Sequence, residues 1–268
     1  VKAANVPIVP GVPLPEELLQ TTRPLMVGLT TDPRRLVQLR RNRLRLLNKD
    51  EESEYVDMER VAAEINAGFS LATFAAAGVL VVRVIDSGPL TAFAEQFFVD
   101  PFNVFLVALT AFVAFTTALF SRPYMRVEHA HGRVTSKRLR LYHAAYQLFT
   151  FTMLVSLLTN NVGILWVAME AGTLTTVLLV SLYRTPASLE AAWKYFILCG
   201  VGIAQALFGT ILLYFAAEKI LGAEGVSALL WTHLNGVKGE LEPAVLGLAF
   251  VFMLVGYGAK VGLAPLHN

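Results

Sequence analysis

Two residues in apolar surroundings have the chemistry to move charge. Glu170 stands near the middle of "ILWVAMEAGTLTTVLLV", residues 164–180, a run that is otherwise soluble in hydrocarbon. A carboxylate at the centre of a bilayer costs about 2.5 kcal/mol or more, so such groups face a bundle interior or a water-filled path. There the group stays neutral or shares charge with a basic neighbour, and it can load and release a proton. The competing role is a structural polar anchor between helices. Lys260 lies in "VFMLVGYGAKVGLAP", beside Gly256, Gly258 and Gly262 and just before Pro265. Glycines at these positions are expected to loosen the helix, and broken membrane helices line cavities and ion sites. The competing role is a lysine that snorkels to the membrane surface.

Other titratable residues are weaker candidates. Lys194 and Glu190 are four apart in "TPASLEAAWKYF", the spacing of a helix-surface ion pair, so Lys194 is read equally as a proton-relay member or as an anchor. Of His129, His131 and His143, only His143 sits at the edge of an apolar span, where an imidazole that titrates near neutral pH can pass protons. Glycine-rich phosphate loops, metal-spaced Cys/His sets and nucleophile elbows are not found in the sequence. No cofactor, metal or catalytic site is therefore expected, and the chemistry left is proton or ion movement. Cys199, the single cysteine, reads as a small apolar core residue.

The elements that must position these residues follow from composition. The 268 residues are 55% hydrophobic and 16% charged, with a mean hydropathy of +0.57, far from the usual soluble domain. A net charge of +2 is too mild to argue for nucleic acid. Residues 1–66 hold 20 of the 42 charged residues, which places a domain boundary near Asn66. Beyond it, apolar runs of about 20 residues, the length that crosses a bilayer, recur near 68–88, 102–121, 141–159, 163–183, 195–217 and 243–262. The loop 122–140 carries Arg122, Arg126, Arg133, Lys137, Arg138 and Arg140 against Glu128 alone, so it is expected in the cytoplasm. Counting crossings puts the 160–161 joint and the acidic 218–242 loop outside, and the N-terminal segment inside.

The head reads as an extended, Pro-punctuated piece, "VKAANVPIVPGVPLP", followed by helices near 33–47 and 54–66, with Asp32-Pro33 as a helix start. "RRLVQLRRNRLRLL" is read as the solvated face of a helix rather than an RNA or lipid patch. With Val1 first and no signal-like opening, no secretory signal is expected, and the sequence is expected to begin inside a longer protein. The expected fold is an all-α polytopic membrane protein of about six transmembrane helices, the last one broken, with a short N-terminal soluble α/β fragment.

At "NNVGILWVAMEAGTLTTVLLVSLYRTPASLEAAWKYFILCGVGIAQALFGTILLYFAA" and "LAFVFMLVGYGAKVGLAPLH" the chain resembles the antiporter-like proton-translocating subunits of respiratory complex I and group 4 membrane-bound hydrogenases, nearest the hydrogenase-4 branch. The resemblance covers about 67–268. It implies that Glu170 and Lys260 match the family's paired proton site, a glutamate on one membrane helix and a lysine on a broken one, with Trp166 in the glutamate's setting. It implies other membrane and hydrophilic subunits of a hydrogenase or NADH dehydrogenase complex as partners, and the inner (plasma) membrane as location. It also implies that a preceding membrane helix and a second set of helices, present in the family, fall outside this sequence. H⁺ and Na⁺ both remain open as the carried ion.

The head, at "VKAANVPIVPGVPLPEELLQ", "MVGLTTDPRRLVQLRRNRLR" and "YVDMERVAAEI", resembles the C-terminal part of the regulatory protein of phosphoenolpyruvate synthase and pyruvate, phosphate dikinase. That family is a cytosolic kinase and phosphorylase whose phosphate-binding loop has no counterpart in the sequence. Two alternatives to a transport subunit stay open: a chimeric or misjoined chain without activity of its own, joined near Asn66, or a phosphotransferase fragment that regulates a dikinase.

Overall fold

The computed structural model describes residues 33–222 and 225–263, with side chains from 60–222 and 227–263. The chain divides into two compact units, Val1–Val56 and Asp57–Asn268. The extended piece expected before residue 33, and with it the expected α/β character of the head, lies outside the described residues. Helix α1 runs from Pro33 to Ser87. It replaces the two short helices and separate first span read from the sequence. The reason is local: no Gly or Pro interrupts residues 34–67, and four of the six residues in the charged stretch 49–54 (Lys49, Glu51, Glu52 and Glu54) are good helix formers.

The second unit holds six helices long and apolar enough to cross a membrane, with their spans at Arg60–Ser87, Pro101–Ala130, Ser136–Leu158, Val162–Tyr183, Pro186–Leu221 and Pro243–Val261. It is a multi-pass membrane protein. Its outer surface displays Phe105, Phe112, Phe120, Phe151, Trp193 and Phe250, while small residues fill the interior. Apolar surface outside and tight packing inside is what a hydrocarbon solvent selects.

A short hairpin follows α1, with β1 (Leu90–Ala92) antiparallel to β2 (Phe97–Val99) and Leu90 opposite Val99. Helix α2 (Pro101–Ala130) opens on Asp100, whose carboxylate accepts from Phe102 N and Asn103 N at 2.9 and 2.8 Å while the Asn103 side chain accepts from Asp100 N. This reciprocal cap, with Pro101 in the first turn, satisfies donors that a helix start leaves orphaned. Helix α2 and helix α3 (Ser136–Leu158) consume most of the expected 122–140 loop: only 131–135 is irregular, and the basic residues decorate the two helix ends. Helix α4 (Val162–Val180) is capped by Asn161, whose side chain accepts from Gly163 N and Ile164 N. A 3₁₀ turn, Ser181–Tyr183, leads to α5 (Pro186–Leu221), capped by Thr185. Helix α5 begins nine residues before the expected 195. A second 3₁₀ turn (Gly225–Leu229) and the short helix α6 (Trp231–Val237) precede α7 (Pro243–Val261).

The two ends of the bundle are built separately. At one end, Asn160 N donates to Gln96 O at 2.7 Å, Asn160 Nδ2 to Glu95 O at 2.9 Å and Trp231 N to Asn160 O at 2.7 Å, so the hairpin, the 160–161 joint and α6 form one cap. At the other end, Met125, Val134, Leu139 and Leu182 form a cluster, Arg133 pairs with the buried Glu128 at 2.9 Å, and Arg122 pairs with Glu64. The joints that the crossing count assigned to one side thus meet at one end, and those assigned to the other side meet at the other.

Helices α5 and α7 touch backbone to backbone. A Cβ on Gly256 would lie 2.6 Å from Ala206 N and Gly202 O, and one on Gly202 would lie 2.7 Å from Ala259 Cβ. Helix α7 therefore does not loosen at Gly256 or Gly258; the former serves close approach, and the helix is continuous through both. It ends at Gly262, whose φ of +79° suits a residue without Cβ. Because α5 and α7 are antiparallel and Ala259 faces Gly202, this end lies level with Cys199. That is thirteen residues, or about 20 Å at 1.5 Å per residue, from the start of α5. Helix α7 ends inside the bundle, at Gly262.

Candidate functional site

The level at which α7 stops is where the polar side chains of three helices converge. Glu170 is the ninth residue of the nineteen in α4, held at mid-length by the Asn161 cap at the helix start. Its Oε2 atom is buried and has no hydrogen-bond partner among the described residues. Lys260, in the last turn of α7, is half-buried and sends its Nζ to the Met169 carbonyl oxygen at 2.6 Å and to the Thr173 hydroxyl. An added Cβ on Gly172 would come within 4.0 Å of the same Nζ, so the ammonium lies along the Met169–Thr173 turn, the turn that carries Glu170. Thr173 is fully buried.

Among the described residues, no direct ion pair joins Glu170 to Lys260; the lysine reaches the backbone and hydroxyl of the glutamate's helix turn instead. Glu170 and Cys199 both lie in electrostatic range of the ammonium. Tyr195, on α5, lies in electrostatic range of Cys199 and Glu170. Cys199 is 5% exposed and follows Tyr195 by one helical turn, so both project from the same face of α5. The sequence reading of Cys199 as an apolar core residue held its burial but missed this neighbourhood. The signal available was the pair Tyr195–Cys199, polar-tipped residues four apart on an apolar span.

Trp166, expected in the setting of Glu170, fixes α4 against α5 by donating its indole N–H to Ile203 O at 2.7 Å. The other predicted residues lie elsewhere. Lys194 is on the exposed face of α5, paired with Glu190 at 2.7 Å, with 73% and 66% of the two side chains exposed. His143 is on α3, buried, with Nδ1 unpartnered among the described atoms and its ring edge-on to Tyr142 at 5.2 Å. One turn further along α3, Gln147 donates to Asn66 Oδ1 at 2.6 Å and Ser70 Oγ at 2.8 Å, both residues of α1 and both buried. This polar cluster, unforeseen from the sequence, combines ordinary polar residues from helices whose pairing periodicity cannot reveal.

Residues 159–268 match the family described as NADH:quinone oxidoreductase/Mrp antiporter, TM, and residues 1–87 match the family described as Kinase/pyrophosphorylase. The chain is 44% identical over 209 residues, 78% of its length, to a hydrogenase-4 component F homolog of Methylacidiphilum infernorum, of which it spans 42%. Its head is 56% identical over 64 residues to a protein of Paramagnetospirillum magneticum described as a pyruvate, phosphate dikinase regulatory protein, covering 21% of that protein. The chain thus spans under half the length of these curated relatives. Two solved structures share its fold: the membrane-bound sulfane sulfur reductase, an archaeal respiratory membrane complex (TM-score 0.63, 22% identity, 76% of this chain and 40% of that one), and respiratory complex I from Thermus thermophilus with bound aureothin (TM-score 0.53, 24% identity, 80% and 44%). Both resemblances read from the sequence are present.

Proposed function

We propose that the membrane unit translocates protons as a subunit of a hydrogenase-4-like or complex I-like redox complex, with Glu170 and Lys260 as its coupled charge sites. The observation that carries this reading is the Glu170 carboxylate, whose buried Oε2 has no hydrogen-bond partner among the described residues, beside the helix turn that Lys260 reaches from the end of α7. In a low-dielectric interior the two charges depend on each other: an ammonium favours a nearby carboxylate, and losing either charge drives a proton onto or off the other. A movement of a neighbouring subunit that separates them then moves a proton along. The similarity to the hydrogenase-4 component F homolog supports a place in such a complex, where the redox reaction belongs to other subunits.

In this reading the basic end of the bundle and the head face the cytoplasm, the membrane is the inner (plasma) membrane, and the partners are other membrane and hydrophilic subunits. Lys194 and His143, distant from the three-helix junction in the contacts they make, serve as accessory relay positions at most. The test is Glu170→Gln in the assembled complex. Proton pumping should be lost, whereas undiminished pumping at normal electron flow removes the role assigned to Glu170. Replacing Na⁺ by K⁺ in the same assay separates H⁺ from Na⁺ as the carried ion.

A second reading is favoured by one specific observation: residues 1–87 match a different family from residues 159–268. We propose that the head is a piece of a dikinase-regulating protein joined to the membrane unit and that it has no phosphotransfer activity. ATP- or ADP-dependent phosphorylation of a dikinase by the full chain should be absent. Sequencing genomic DNA across codons 60–70 tests the join itself, and reads that fail to span it mark it as an artefact.

A further inference from the structure

We infer that Thr173 is a positioning residue for Lys260, its hydroxyl completing the hydrogen bonding of the amine in both protonation states. The inference rests on the transport reading above and adds a residue to it. Lys260 Nζ donates to the Met169 carbonyl oxygen at 2.6 Å and to Thr173 Oγ1, and Thr173 Oγ1 in turn donates to the same carbonyl at 3.1 Å. Three polar atoms are thus mutually bonded on the helix turn that carries Glu170. Thr173 is fully buried, where a lost hydrogen bond is not replaced by solvent.

The two partners of the amine differ in what they can do. A carbonyl oxygen only accepts, whereas a hydroxyl has one hydrogen to donate and lone pairs to accept with. An ammonium is all donor and is served by both, with the Thr173 hydrogen directed meanwhile at Met169 O. Once Lys260 has passed its proton to the translocation path, the neutral amine carries a lone pair, and in a buried place that lone pair costs free energy unless a donor meets it. Of the two groups bonded to Nζ among the described residues, only Thr173 has a hydrogen to give. Rotation about its Cβ–Oγ1 bond turns that hydrogen from the carbonyl to the amine. The bond that breaks is an N–H of Lys260; Thr173 neither gains nor loses a proton, and no electron changes hands. The titratable groups within electrostatic range of the amine are Glu170 on α4 and Cys199 on α5, and neither is bonded to Nζ among the described residues.

The test compares Thr173→Val, which replaces the hydroxyl by a methyl at nearly constant volume, with Thr173→Ser, which keeps the hydroxyl, both in the assembled complex. A hydrogen bond to the charged amine is roughly twice as strong as one to the neutral amine, so losing the hydroxyl weakens the charged state more. In Thr173→Val the alkaline limb of the pH profile of proton flux per electron should move about one unit toward lower pH, with subunit content unchanged. Thr173→Ser should keep the wild-type profile. An unshifted profile in Thr173→Val, or an equal shift in Thr173→Ser, overturns the inference, because packing and not the hydroxyl would then account for the residue. Loss of flux in Glu170→Gln alongside either of those results leaves the transport reading standing, whereas unchanged flux in Glu170→Gln overturns that reading instead. Should Thr173→Val fail to assemble, Thr173→Ala removes the hydroxyl without placing a second methyl in a full interior, and a shifted or unshifted profile decides in the same way.

Discussion

At the scale of single residues, the site depends on polar atoms placed where hydrocarbon leaves no substitute. Gln147 donates from one amide nitrogen to Asn66 Oδ1 and Ser70 Oγ, on two residues that are nearly inaccessible. Gln147→Leu should destabilise the unit by about 1–3 kcal/mol, the cost of stranding buried polar groups, read as a lower thermal midpoint in detergent. Trp166 works differently, because its acceptor, Ile203 O, is a helix carbonyl. Trp166→Phe should lose only about 1 kcal/mol, the net worth of one hydrogen bond, in the same measurement. Glu170 and Lys260 were legible in the sequence because a charge inside an apolar run is conspicuous by itself.

At the scale of elements, backbone approach matters more than side-chain size. Helices α5 and α7 meet through Gly202, Ala206 and Gly256, and this contact sets the depth at which α7 stops and Lys260 enters. Gly256→Ala should cost about 1–3 kcal/mol through overpacking. Gly68→Ala, in α1 where an added Cβ meets nothing within 4 Å, should stabilise by about 0.5–1 kcal/mol. Opposite shifts of the thermal midpoint for the same chemical change would confirm that contact, not helix propensity, decides the first. The spans were legible from hydropathy, but not which of the glycines near Lys260 ends the helix and which serves close approach. The 90–99 hairpin escaped notice because its turn uses Phe93, Ala94 and Glu95 at positive φ where Gly or Asn would signal a turn. Contacts of Glu95 and Gln96 with Asn160, and of Glu95 with His233 at 3.1 Å, hold that turn.

At the scale of the whole molecule, the alternation of joints between the two bundle ends is the structural frame of the transport reading. With the lone cysteine replaced (Cys199→Ser), a single cysteine introduced by Arg133→Cys should react with a membrane-impermeant reagent only from the cytoplasmic side, and one introduced by Lys238→Cys only from the opposite side. Reaction of both from the same side would contradict the topology. Counting the apolar spans made this alternation legible, since it needs no tertiary information. The convergence of α4, α5 and α7 was not legible, because a helix that is apolar all round does not say which face meets which neighbour. The central claim is that a proton crosses by way of Glu170 and Lys260. It is tested most directly by proton translocation in Na⁺-free medium, measured per electron transferred, for the wild type, Glu170→Gln and Lys260→Met in the assembled complex. The wild type should pump and neither variant should; proton pumping by both variants at the wild-type ratio would contradict a path through Glu170 and Lys260.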